Sequence, residues 1–160
     1  MDIYISRLFY ASTATKKCTP EELHKIINAG RQHNSLLDVT GTLCYENNYF
    51  LGCLEGSREH INSIFNKIAD DERHAEVHLL ELREISHRYF EQYLTTFNPQ
   101  DIVEYVADQN GIKEFNPYLL DGDHLEEAFN NVTETPEVLS KSAPPKPKKS
   151  LFNLFNVFKH

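Results

Sequence analysis

An α+β sandwich of ferredoxin-like order, β-α-β-β-α-β with an added strand and short C-terminal helices, is the fold class this chain predicts. Three observations lead there. A hairpin signature lies at residues 40–55, an amphipathic helical repeat stands on either side of it, and a strand-length apolar segment lies outside each helix. Two helices of that kind, each with one apolar stripe, must bury their stripes against the same sheet.

Residues 3–12 mix β-branched and aromatic side chains at both parities, which predicts an interior strand covered on both faces. Thr19-Pro20-Glu21-Glu22 then supplies an N-cap, a proline at the first helical position and a capping-box glutamate. Leu23, Ile26, Ile27 and Gly30 follow at helical spacing. The hairpin comes next: an apolar run over 40–46, the pair Asn47-Asn48 for a positive-φ turn, and a second strand over 49–55. A two-residue turn puts Gly52 opposite Leu43, on the face of Tyr45, Phe50 and Leu54, with Cys44, Leu51 and Cys53 on the other face. Glycine inside a strand marks a bulge or a close approach to the backbone, so that face carries a notch. Ser57 caps a second helix with the stripe Ile61, Ile64, Phe65 and Ile68. A strand at 76–82 completes the set, and another is expected within 88–97.

Beyond Pro99 the spacing predicts short helices at 101–109 and about 123–132, packed on the other sheet face. The organisation expected is a core domain over 1–98, a helical extension over 99–133, a Pro/Lys-rich linker over 134–150 and an amphipathic aromatic tail, LFNLFNVFKH, over 151–160. The tail is expected to dock on a protein, with membrane contact through Lys146, Lys148 and Lys149 as the alternative.

Composition narrows the function classes. A net charge of -8 argues against a nucleic-acid surface, which needs clustered cations. No apolar run reaches the roughly 20 residues that span a bilayer, and the first dozen residues do not read as a secretory leader, so a cytoplasmic protein without stable membrane insertion is expected. Cys18, Cys44 and Cys53 are odd in number and lack C-x-x-C spacing, which reads as free thiols in a reducing compartment. His74 and His78, four apart, do not assemble a metal-ligand set, and the segment after Tyr10 is not a glycine-rich phosphate cradle. Metal and enzyme readings are therefore set aside.

The two helices beside one sheet face leave a slot. Gly30 and Ile68 fall on its seam, and Tyr10 and Asn34, the latter expected just past the first helix, offer it a phenol and a carboxamide. A buried, satisfied tyrosine and a helix-capping asparagine are the plainer alternative. The strings Arg7-Leu8-Phe9-Tyr10-Ala11-Ser12, Asn34 with Asp38-Val39-Thr40-Gly41, Phe50-Leu51-Gly52-Cys53-Leu54-Glu55-Gly56 and Ile68-Ala69-Asp70-Asp71-Glu72-Arg73-His74 together resemble the BLUF family of FAD-binding blue-light sensors, over about residues 4–97.

That resemblance implies an isoalloxazine ring held between the two helices, with FAD the cofactor. It implies that Tyr10 is the redox tyrosine and Asn34 the flavin-gripping carboxamide, with Ile27, Gly30, Ile68, Lys67, Asp71, Arg73 and His74 around the cofactor. Tyr93, Leu94 and Thr95 take the place of the family's Trp-Ser-Met relay segment. Gly52 takes the place of its switch glutamine, whose amide rearranges after the tyrosine gives up an electron and proton. The expectation is a blue-light sensor without catalytic activity, signalling by non-covalent contact with a protein partner and forming a homo-oligomer through the sheet or the C-terminal helices. The alternative is a light-independent interaction module that has lost the photochemistry and FAD with it.

Overall fold

Asn47 and Asn48 take φ values of 55° and 63° and close the hairpin between β2 (Thr40–Glu46) and β3 (Tyr49–Ser57). Asparagine tolerates this left-handed backbone better than most residues, and the resulting two-residue turn fixes the register. Leu43 pairs with Gly52 and Tyr45 with Phe50, as the turn chemistry requires. The structure, a computed structural model, describes residues 4–133 except 97, 111 and 112; the expected linker and aromatic tail lie outside the described residues.

The elements run β1 (Ile5–Ala14), α1 (Pro20–Leu36), β2, β3, α2 (Arg58–Asp70), β4 (His74–Ile85), β5 (Thr95–Thr96), α3 (Pro99–Asn110) and α4 (Gly122–Thr133). The sheet order is β4-β1-β3-β2-β5, antiparallel except for the short β2/β5 pair. This is the mixed α+β, ferredoxin-like architecture that the pattern predicts. Both helices are capped as their sequences dictate: Thr19 Oγ1 accepts from Glu22 N, and Ser57 Oγ accepts from His60 N.

Side-chain alternation divides the sheet between two cores. Leu8, Tyr10, Leu43, Tyr45, Phe50 and Leu54 face α1 and α2, where they meet Leu23, Ile27, Ile61 and Ile64. Phe9, Cys44, Leu51 and Cys53 face the other way, against Ile102 and Val103 of α3 and Leu125 and Phe129 of α4. The three cysteines are buried free thiols.

Three expectations need correction. β4 begins at His74 and extends to Ile85, beyond the expected 76–82, because it pairs along all of β1, from Ala14 with His74 to Ile5 with Ile85. Ladder pairing, not the apolar pattern, sets its length. The expected strand within 88–97 shrinks to Thr95–Thr96. The N–H groups of Tyr89 and Phe90 donate to the buried Glu55 carboxylate instead, which removes them from any ladder. Asn34 lies inside the last turn of α1, not past it; the cap is Leu37, whose N–H reaches the carbonyls of Asn34 and Ser35.

Candidate functional site

Tyr10 on β1 and Gly52 on β3 are directly opposed across the ladder. Their side chains therefore point to the same face, and the glycine leaves room that the tyrosine takes. A Cβ built on Gly52 would lie 2.1 Å from Tyr10 Cε1 and 2.5 Å from its hydroxyl oxygen. The notch expected in the hairpin is thus filled by the Tyr10 ring, which also faces Phe65 of α2 at 6.0 Å between centroids. Burial pushes the phenol well above its ordinary range, helped by the Cys53 and Cys44 thiols, so Tyr10 carries its proton at any physiological pH.

Beside this pair, α1 and α2 diverge over a cleft of about 260 Å³. The floor is Tyr10, Leu43 and Leu54, the α1 wall Ile26, Ala29, Gly30, His33 and Asn34, and the α2 wall Ile64, Lys67 and Ile68. Gly30 and Ile68 both line the cleft, one on each wall. Ile27 does not line the cleft: it points into the core, 5 % exposed, and Ile26 takes its place, since one residue along a helix turns the side chain by about 100°. A Cβ on Gly30 would sit 3.0 Å from Leu94 Cδ2, so Leu94 reaches across the sheet edge into the cleft. Tyr93 points outward and is 46 % exposed. Asn34, buried, donates from Nδ2 to the Tyr93 carbonyl at 2.7 Å, and Arg31 Nε donates to the Leu94 carbonyl at 3.2 Å. Thr95 sits in β5 and bonds from Oγ1 to the Gly41 carbonyl at 3.3 Å.

The far end of the cleft is polar. Lys67 Nζ lies 2.6 Å from His33 Nε2. Arg73 grips both Asp71 oxygens and Glu22; although burial opposes it, this fork holds the Asp71 carboxyl below the usual range. His74 Nδ1 is 2.8 Å from Ser12 Oγ and its ring 4.7 Å from that of Phe50. Burial, with Arg73 nearby, pushes His74 down to about 4, so the ring is uncharged.

These residues suit a flat aromatic ring with one polar edge and an anionic appendage. Leucine and isoleucine side chains supply the faces, the Asn34 carboxamide and Tyr10 phenol the polar contacts, and Lys67 a cation at one end, the Arg73 charge being taken up by Asp71 and Glu22. The volume is just below the ~300–1,000 Å³ of ordinary ligand pockets, room for a ring system and not for a whole dinucleotide.

The family described as "Sensors of blue-light using FAD" matches residues 5–95. The chain belongs to the BLUF family. Among curated relatives, photoactivated adenylate cyclase subunit beta is 31% identical over 117 residues in Euglena longa and 27% identical in Euglena gracilis. Each alignment covers 66% of this BLUF chain and only 14% of the relative, so the cyclase name belongs to proteins far longer than the shared region. Among solved structures, the BlsA ground state superposes with a TM-score of 0.74 at 28% identity, covering 82% of this chain and 89% of that one. The BlsA photo-activated state gives 0.73 at 29%, covering 82% and 96%. The dark-state structure of the BLUF protein BlrB, at 22% identity and TM-score 0.66, shares the fold, covering 83% and 98%.

Against that BLUF background, Tyr10, Gly30, Asn34, Lys67, Ile68, Asp71, Arg73, His74 and Leu94 come together around one cleft, and Gly52 lies beneath Tyr10. Sequence reasoning missed His33, one turn after Gly30 on the same helical stripe, and the reach of Leu94 into the cleft. The first was legible from the i, i+3 spacing. The second was not, because no periodicity governs residues 88–94.

Proposed function

We propose that this BLUF chain holds the isoalloxazine ring of FAD between α1 and α2, acts by non-covalent contact with a protein partner in the cytoplasm, and lacks the glutamine-based light switch. The observation that carries the reading is the Tyr10 ring seated on Gly52. Bound flavin would supply blue-light absorption and one-electron chemistry. The chain's own residues do the rest. Asn34 spends one amide hydrogen on the Tyr93 carbonyl, which leaves its Oδ1 for a ring N–H. Leu54, Ile64 and Ile68 keep water from the ring faces, and Lys67 balances negative charge at the polar end. Tyr10 holds its proton on a buried hydroxyl beside the ring site. Gly52 has no group to reorient and the Tyr10 ring fills the space above it, so nothing at that position stores a changed hydrogen bond after illumination.

The contact of Leu94 with Gly30 supports a second reading, a light-independent interaction module whose cleft is narrowed by its own side chain. An absorption spectrum in the dark and directly after blue illumination, with and without added FAD, separates the two. The first reading expects a structured flavin band with no slowly recovering red shift, and a shift in Gly52→Gln only where the Tyr10 ring swings off position 52 to admit the amide. A slowly recovering red shift in the parent protein would show that another group does the switching. No flavin band even with excess FAD would leave the interaction module.

A further inference from the structure

On the sheet face away from the cleft, five charged side chains gather between β1, β3, β4 and α4. Arg7, 3 % exposed, donates from Nε to Glu55 at 3.0 Å and from Nη1 to both oxygens of Glu126 at 3.2 and 2.9 Å, with its guanidinium 3.4 Å above the Tyr89 ring. Glu55 is filled with donors: Arg7 and the N–H groups of Tyr89 and Phe90. Glu126 also accepts from the Tyr89 hydroxyl at 2.7 Å. Glu81 of β4 lies against this cluster with one oxygen 2.8 Å from Arg83 Nη2. Its other oxygen, Oε2, is buried without a donor. Burial raises the Glu81 pKa and so does the neighbouring carboxyl, Glu126, and an orphaned carboxylate oxygen beside a second carboxylate is satisfied only by a proton.

The charges do not balance without that proton. Three buried or half-buried carboxyls, Glu55, Glu81 and Glu126, meet two guanidiniums, Arg7 and Arg83, and Arg83 is shared further with the exposed Asp123 at 3.8 Å. The buried Cys53 thiol of β3 also neighbours the cluster, and His124 of α4 pairs with Asp121 at 3.0 Å. The Glu81 carboxyl lies against the start of α4: a Cβ on Gly122, the first residue of the helix, would lie 2.6 Å from Glu81 Oε1.

We propose that Glu81 and Glu126 share one proton, and that this proton latches α4 onto β4. Glu81 is the member that keeps it, since Glu126 has Arg7 and Tyr89 to stabilise its charge; burial and the neighbouring Glu126 push Glu81 above the usual carboxylate range. Loss of the proton places two like charges together under the first turns of α4 and loosens the element from which residues 134–160 depart. The latch is independent of what the cleft binds.

The test is hydrogen exchange at the amides of residues 124–130 in the full chain between pH 5 and 8, corrected for intrinsic rates, together with the carboxyl carbon shifts of 13C-labelled glutamate. In the parent protein, protection of α4 should fall by about tenfold for each unit that the Glu81 pKa is raised. Glu81→Gln replaces the protonated carboxyl by an amide that still donates to Glu126, so its α4 protection should be flat with pH. Labelled Glu81 should titrate above the ordinary range, and should return towards it in Glu126→Gln. Glu81 titrating normally in the parent protein, or Glu81→Gln retaining the parent pH dependence, would overturn the proposal.

Discussion

The aromatic ring of Tyr10 covers the backbone of Gly52 so closely that no side chain fits at position 52 while the ring stays in place; the Cβ-to-ring distance would be 2.1 Å. The two residues are cross-strand partners, so the fit is imposed by register and not by a movable loop. The tyrosine and glycine therefore form one packing unit.

Gly52→Ala should cost about 1–3 kcal/mol through overpacking. The double variant Tyr10→Leu/Gly52→Ala should be less destabilised than the sum of its singles, by about 1 kcal/mol or more in a denaturant double-mutant cycle. Additive effects would mean that the ring leaves position 52 freely.

Leu94 narrows the cleft at Gly30, so Leu94→Ala should do two opposed things. Stability should fall by about 2–4 kcal/mol, the usual cost of truncating a buried leucine. FAD affinity, measured by fluorescence quenching on titration, should rise or stay equal, because the removed methyl groups lie where a ring must enter. Weaker binding in this variant would place Leu94 among the flavin's supports.

Acid should destabilise the domain through His74. Its pKa is about 4 in the folded chain against about 6.5 when unfolded, so the unfolded state binds the proton more readily. The contribution is fully present above pH 6.5 and is lost as pH falls towards 4, with a ceiling of roughly 3 kcal/mol. Chemical denaturation from pH 7 to 4 should show this slope in the parent and a shallower one in His74→Gln. The sign is opposite to that of the Glu81 latch, which strengthens in acid.

Glu55 is fully buried and accepts from Arg7 and two backbone N–H groups. Glu55→Leu strands all three donors and should cost about 3–5 kcal/mol. Glu55→Gln keeps an acceptor for the backbone and should cost clearly less in the same urea titration.

The hairpin, both capped helices and the two-faced alternation were legible in the residues, because turn chemistry, caps and period are local physics. Asn47-Asn48 fixed the register, and register alone put Gly52 opposite Leu43 and on the same face as Leu54. The motifs likewise placed Tyr10, Asn34, Lys67, Asp71 and Arg73 at one site. What lay beyond local physics was decided by contacts distant in sequence. A strand is expected within residues 88–97, yet the Glu55 carboxylate, over 30 positions away, captures the N–H groups of Tyr89 and Phe90. Leu94 turns inward on a segment whose carbonyls at 93 and 94 are held by Asn34 and Arg31 of α1, contacts no local pattern announces. The sequence by itself thus determined that Tyr10, Gly30, Asn34, Lys67 and Ile68 share one cleft and that position 52 is a notch; only the tertiary structure turned Ile27 into the core, brought Leu94 in and decided what fills the notch, since Tyr10 and Gly52, 42 positions apart, meet across the ladder and steric exclusion leaves the Tyr10 ring as its occupant.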